Sequence, residues 1–139
     1  VNERDMTKTL VKAVENWTRK NITEDAGKAE EIRSTIKTKL KEEDTINIDD
    51  FSQELFSQDA NKKEEFSTYI KQQGLESQVS VDKTWVEKKM KRIRLNIDKE
   101  IDLYINEETY HDPKKFEIVR NGDGSINLVV KNVINYIEK

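Results

Sequence analysis

No cysteine occurs anywhere in the 139 residues. That excludes a disulfide framework and any thiolate-bound metal, and it fits a reducing compartment, by default the cytoplasm. There is one histidine, His111, so imidazole chemistry has a single possible seat. One proline and four glycines leave few sharp turns, and each of these residues therefore marks a specific place in the chain. Hydrophobic residues make up 34% and aromatics 7%, so the core must be lean. No apolar run is long enough for a membrane span or a signal-peptide core, and no membrane role is expected.

What is present is charge. Asp, Glu, Lys and Arg account for 38% of the chain, yet they nearly balance to −3, too little for self-repulsion to keep the chain open. The chain opens on Val1 and runs almost at once into an amphipathic pattern, which reads as a single domain, 1–139, cut from the C-terminal part of a longer protein. Residues 1–80 have the pattern of helices and 81–139 that of strands.

Met6, Leu10, Val14 and Trp17 fall at helical spacing, with Val11 beside them, and predict a helix over about residues 4–20 with Trp17 as its heaviest anchor. Thr23 is the expected N-cap of a second helix carrying Ala29, Ile32, Ile36 and Leu40, with Glu24 and Asp25 where a helix N-terminus favours negative charge. Ile46-Asn47-Ile48 reads as a short extended link, after which Asp49 and Asp50 are expected to cap a helix bearing Phe51, Leu55 and Phe56. Phe66, Tyr69 and Ile70 mark a further helix, closed by Gly74 with Leu75 as the apolar contact beyond it.

From Met90 the apolar period shortens to two, the signature of a half-buried strand. Ile93, Leu95 and Ile97 share one face, and Arg92, Arg94 and Asn96 share the other. A three-residue loop, Asp98-Lys99-Glu100, pairs Ile97 with Ile101, Leu95 with Leu103 and Ile93 with Ile105; a two-residue loop would set Leu95 against Asp102. Because a slip of one residue moves every side chain to the wrong face, the pattern selects the longer loop. A second hairpin joins 116–120 to 126–130 through Asn121-Gly122-Asp123-Gly124, whose glycines supply the positive φ of a tight turn. Asp112-Pro113 interrupts regular structure between the hairpins. Residues 133–137 fit either a last strand or a helical turn. The expected fold is α+β, with N-terminal helices packed on a small, mainly antiparallel sheet built from two β-hairpins.

Candidate chemistry is sparse. Asn121 to Ile126 resembles the middle of a calcium loop, but aligning Gly124 with the obligatory glycine puts Val119 and Val130 at ligand positions, and neither can hold a hard cation. His111 beside Asp112 lacks the motif of a nucleophile and its base, and reads as a surface histidine. Glu30-Glu31, Glu42-Glu43 and Glu107-Glu108 are adjacent pairs, which diverge on a helix and serve as solvating charge. There is no phosphate-binding glycine loop. No catalytic, metal or cofactor site is expected.

The feature that suggests function is a cationic stretch from Lys83 to Lys99. Lys83, Lys88, Lys89, Lys91, Arg92, Arg94 and Lys99 face only Glu87 and Asp98, within a chain of net charge −3. Such a stripe meets the electrostatic requirement for contact with a phosphate backbone, and Trp85 stands close enough to add stacking. Lys88, Lys89, Lys91, Arg92 and Arg94 are the expected DNA contacts. The bland reading is cross-strand pairing, in which Arg94 faces Tyr104, Arg92 faces Asn106, and Asp102, diagonal to Arg94, consumes charge.

The amphipathic helices, the Phe51 to Gly74 block with Phe66 and Gly74 spaced as a helix end, Asp112-Pro113, and the closing 115–126 segment with Asp123-Gly124 together resemble the C-terminal half of the bacterial nucleoid-associated protein family of the NdpA type. The resemblance covers most of the chain. It implies a non-enzymatic protein of the cytoplasmic nucleoid, with DNA and chromosome-associated proteins as partners. The alternative expectation is a protein-interaction or dimerisation module, a homo-oligomer in one version, whose DNA contact belongs to a missing N-terminal half. Apolar residues left exposed around Trp17 or Trp85 would favour it.

Overall fold

The computed structural model describes residues 2–139. Helix α1 (Glu3–Asn21) starts where the Asn2 side chain accepts the Asp5 N–H at 2.8 Å, and it turns Leu10, Ala13, Val14 and Trp17 inward. Helix α2 (Ala26–Glu42) buries Ile32, Ile36 and Leu40. Its N-cap is Asp25, accepting the Lys28 N–H at 2.9 Å, and not Thr23 as the sequence suggested; Asp25 carries a charge as well as an acceptor, which the helix dipole favours. Glu15 ties the two helices together, receiving Arg33 Nε at 2.9 Å and Nη2 at 3.0 Å while also holding Arg19.

The extended link is a true strand. β1 (Thr45–Asn47) pairs antiparallel with β2 (Gln78–Ser80), setting fully buried Ile46 opposite fully buried Val79. Between them lie α3 (Ile48–Leu55) and α4 (Ala60–Lys71). Asn47 caps α3 by accepting the Asp50 N–H at 2.8 Å, so Asp49 and Asp50 sit inside the first turn and not at the cap. Trp17 lies edge-on to Phe66 at 5.0 Å and to Phe56 at 5.5 Å, and Phe51 meets Phe66 at 5.4 Å. Gly74 has φ +94° after α4, and Leu75 is buried beyond it as expected. Fully buried Thr7 locks α1 to the next segment: its hydroxyl donates to Glu3 O at 2.7 Å and accepts the Asp82 N–H at 3.0 Å.

Asp82 caps a short helix, α5 (Lys83–Lys89), which buries Val86. Next come β3 (Arg92–Ile97) and β4 (Ile101–Asn106), in the register read from the sequence, with Leu95 opposite Leu103 and Ile97 opposite Ile101. Asp98 and Lys99 adopt φ +53° and +62°, and the Glu100 N–H returns to Ile97 O at 3.0 Å, closing the turn. One turn of helix, α6 (Glu107–Tyr110), leads to β5 (Phe116–Arg120) and β6 (Ile126–Val130), with Ile118 opposite Leu128.

The fold is α+β, and each strand pair forms its own two-stranded antiparallel sheet. The second hairpin is docked by its turn: Gly124 O accepts the Gly27 N–H at 3.0 Å, and a Cβ on Gly124 would stand 3.4 Å from Glu24 O. Glu30 completes the latch, accepting the Tyr110 hydroxyl at 2.7 Å and pairing with Arg120. Residues 133–137 form neither of the two expected elements, and Ile134 is 99% exposed.

Burial pushes the Glu15 carboxyl up, but Arg33 and Arg19 outweigh it and hold the group below 4.5. With a folded value under the unfolded one, its stabilisation is complete above about pH 4.5 and is lost as pH falls through the folded value. Glu15→Gln should lower stability by roughly 1 kcal/mol at pH 7, discounted for partial exposure. It should also flatten the loss of stability as pH falls below about 4.5, read by urea denaturation at each pH.

Candidate nucleic-acid interface

The cationic stretch is built by α5 and β3, two elements held differently by the body. Helix α5 is pinned by Val86, 3% exposed, and by Lys83, whose Nζ donates to Leu40 O and Lys41 O at 2.9 Å each. Lys83 therefore answers the free carbonyls at the end of α2 and is separated from the stripe by that role. Lys88 and Lys89 occupy the last turn of α5, where a helix C-terminus favours cations, and both are exposed.

Lys91 follows, its carbonyl accepting the Glu107 N–H at 2.9 Å while its side chain stays exposed. Arg92 and Arg94 project from the polar face of β3, opposite buried Ile93, and Lys99 stands at the hairpin tip. Among the described residues, none of Lys88, Lys89, Lys91, Arg92, Arg94 and Lys99 forms a salt bridge. Elsewhere Arg19, Lys28, Arg33, Lys39, Lys41, Lys71, Arg120 and Lys131 are paired with carboxylates, while Arg4, Lys8, Lys12, Lys20, Lys37, Lys62 and Lys63, spread over the helices, form no salt bridge among the described residues.

Cross-strand pairing does not neutralise the stripe. The Arg94 guanidinium lies over the Tyr104 ring at 5.3 Å, a contact that orients the cation without cancelling its charge. Asp102 is engaged by Asn96, whose Nδ2 donates at 2.9 Å. Trp85 is half-buried and packs against the core, so the exposed aromatic of this surface is Tyr104, at 60%. Sequence reading named Tyr104 only as the partner of Arg94. Its pairing across from an arginine on a polar strand face was the available signal.

The other candidates stay apart from this surface. Asp123 accepts both the N–H and the hydroxyl of Ser125, at 3.0 and 2.6 Å, so the calcium-like segment is an internally bonded turn. No cluster of three or more His, Asp or Glu able to hold a metal occurs among the described residues. His111 is exposed, with its Nε2 3.0 Å from Glu107 Oε1, and Glu107 is also paired with Lys41. No hydroxyl is hydrogen-bonded to that ring among the described residues, so no nucleophile is assembled there. Among the described residues no helix is long and apolar enough to cross a membrane.

An α+β domain with a cluster of unpaired cations along α5 and β3 is thus the object to be placed. The chain belongs to the nucleoid-associated protein YejK family, whose model matches residues 1–138, the same family as the NdpA type. Membership locates the protein with the cytoplasmic nucleoid, in a family of nucleoid-associated proteins. No curated protein and no solved structure matches the chain.

Because Lys83 is spent on α2, Lys83→Ala should cost about 1 kcal/mol of stability in urea denaturation. The same variant should leave DNA affinity within twofold of the parent in a fluorescence titration, about the ±0.5 kcal/mol scale of a neutral surface change.

Proposed function

We propose that this chain associates with the chromosome by nonspecific, non-enzymatic contact with DNA phosphates, made by Lys88, Lys89, Lys91, Arg92 and Arg94. The single observation that carries the reading is that these five cations are exposed, form no salt bridge among the described residues, and follow one another closely along α5 and β3. Five neutralised phosphates imply a slope of about −4.5 for the logarithm of affinity against the logarithm of salt. Arg92→Glu with Arg94→Glu should bring the slope to about −3 and weaken binding at least tenfold at low salt. Gel shifts at two salt concentrations measure both quantities, and an affinity indifferent to salt would remove the mechanism.

A second reading is contact with other chromosome-associated proteins or with a second copy. Its support is the distribution of exposed apolar side chains. Trp17, the heaviest anchor of its helix, is 3% exposed and does not contribute, and half-buried Trp85 adds little. The exposed set is Ile101, Tyr104, Val119, Val129 and Val130, followed by Val133, Ile134, Tyr136 and Ile137. Sedimentation velocity over a range of concentrations should show a mass that rises with loading. Ile134→Asp with Ile137→Asp should abolish the rise, and a monomer at every concentration excludes self-association.

A further inference from the structure

We propose that the β3–β4 hairpin is an arm that lies polar face down in the major groove of duplex DNA, so that the interface is a ribbon seated between phosphate strands and not a flat patch touching one of them. The inference rests on the phosphate-contact reading above and goes further by assigning the groove.

Three observations carry it. The first is that the hairpin projects. Ile93, at its base, is 6% exposed and α6 packs beside it, but on the same apolar face Ile101 near the tip is 52% exposed, so the body does not reach that far. The second is the composition of the opposite face: Arg92, Arg94 and Asn96 on β3, with Asn106, Tyr104 and Asp102 across from them on β4, where Asp102 accepts the Asn96 amide at 2.9 Å and leaves both arginines free. Arginine and asparagine are the side chains whose paired donors and acceptors match base edges, and the Tyr104 ring holds the Arg94 guanidinium in place. The third is the position of the lysines. Lys88, Lys89 and Lys91 stand at the foot of the arm, where the phosphate wall of an occupied groove would run.

Size selects the groove. Two strands with backbones ~4.8 Å apart, carrying side chains, fit an opening about 12 Å wide and not one about 6 Å wide. At ~3.4 Å per residue the stretch from Arg92 to Asn96 runs about 14 Å, close to the length of four base steps. The tip, with Asp98 and Glu100 around Lys99, is the acidic end of the arm and sets where the contact stops.

Methylation of a short mixed-sequence duplex by dimethyl sulfate tests the assignment, because guanine N7 lies in the major groove and adenine N3 in the minor groove. At saturating protein, guanine N7 should be protected and adenine N3 should not. Tyr104→Ala should remove the N7 protection and weaken binding roughly tenfold, the scale of one good contact to a base. Tyr104→Phe should retain both, since the ring under Arg94 survives. Tyr104 is 60% exposed, and matching circular dichroism spectra would confirm that each variant is folded. Salt-dependent binding with N7 unprotected, or with N3 protected instead, would overturn the arm and leave the phosphate contact standing. No binding at low salt would overturn both.

Discussion

The contact of Trp17 with Phe66, edge-on at 5.0 Å, is the packing on which the rest of the molecule depends. With only about a third of the chain hydrophobic, a few large side chains must do most of the burial, and aromatic rings bury the most area for each residue ordered. This pair joins α1 to α4, while Phe51 and Phe56 bring in α3, so three helices share one cluster. From there Ile46 and Val79 carry the core into β1–β2, and Thr7 fastens the chain just beyond β2 to α1. Helix α5 inherits its position from that seam. Truncating Trp17 or Phe66 would therefore disturb the cationic edge through the scaffold and not through charge, which makes such variants poor probes of binding.

A core this concentrated leaves little apolar area for the last third of the chain. The β5–β6 hairpin is held by Phe116, by the close approach of its turn to α2 and by the bonds of Tyr110 and Arg120 to Glu30. The β3–β4 hairpin is held by Ile93 and α6 near its base. The division of charge follows from this geometry. Helices packed side by side bring carboxylates and cations within reach of one another, as at Glu15 with Arg33 and at Lys39 with Glu54, whereas a projecting ribbon has few neighbours to supply a counter-charge. Exposure and lack of partners at Arg92 and Arg94 are two results of one cause.

The hairpins were legible in the sequence because strand register is a local code: three apolar residues at alternate positions on each side of a turn admit one pairing, and Ile93, Leu95 and Ile97 found the partners the pattern required. Phe66, Ile70 and Gly74 were legible for the same reason, a helical period ending on a residue with φ +94°. Pairing of β1 with β2 was not, since three residues are too few for a period and the partners lie more than thirty positions apart, brought together only by packing of α3 and α4. Caps were misread by a few positions where several acceptors cluster, as at Thr23 against Asp25 and at Asp49 against Asn47. For the interface, the clustering of cations could be read directly. Whether carboxylates from other elements would cancel them could not, because salt bridges such as Arg120 with Glu30 span ninety positions and leave no local trace.

An acidic total does not oppose such a stripe. Screening at physiological ionic strength confines the field of an exposed charge to about 8 Å, so a polyanion at the arm senses Lys88 to Arg94 and only weakly the carboxylates of α2 and α4. Carboxylates on the other faces disfavour the approach of a polyanion there at the same short range. With Arg94 oriented by Tyr104 and only five cations in the proposed contact, the proposed binding would be modest and reversible by ionic strength. A larger uniform positive charge would bind more tightly and lose that orientation, because every face would then attract the same strand.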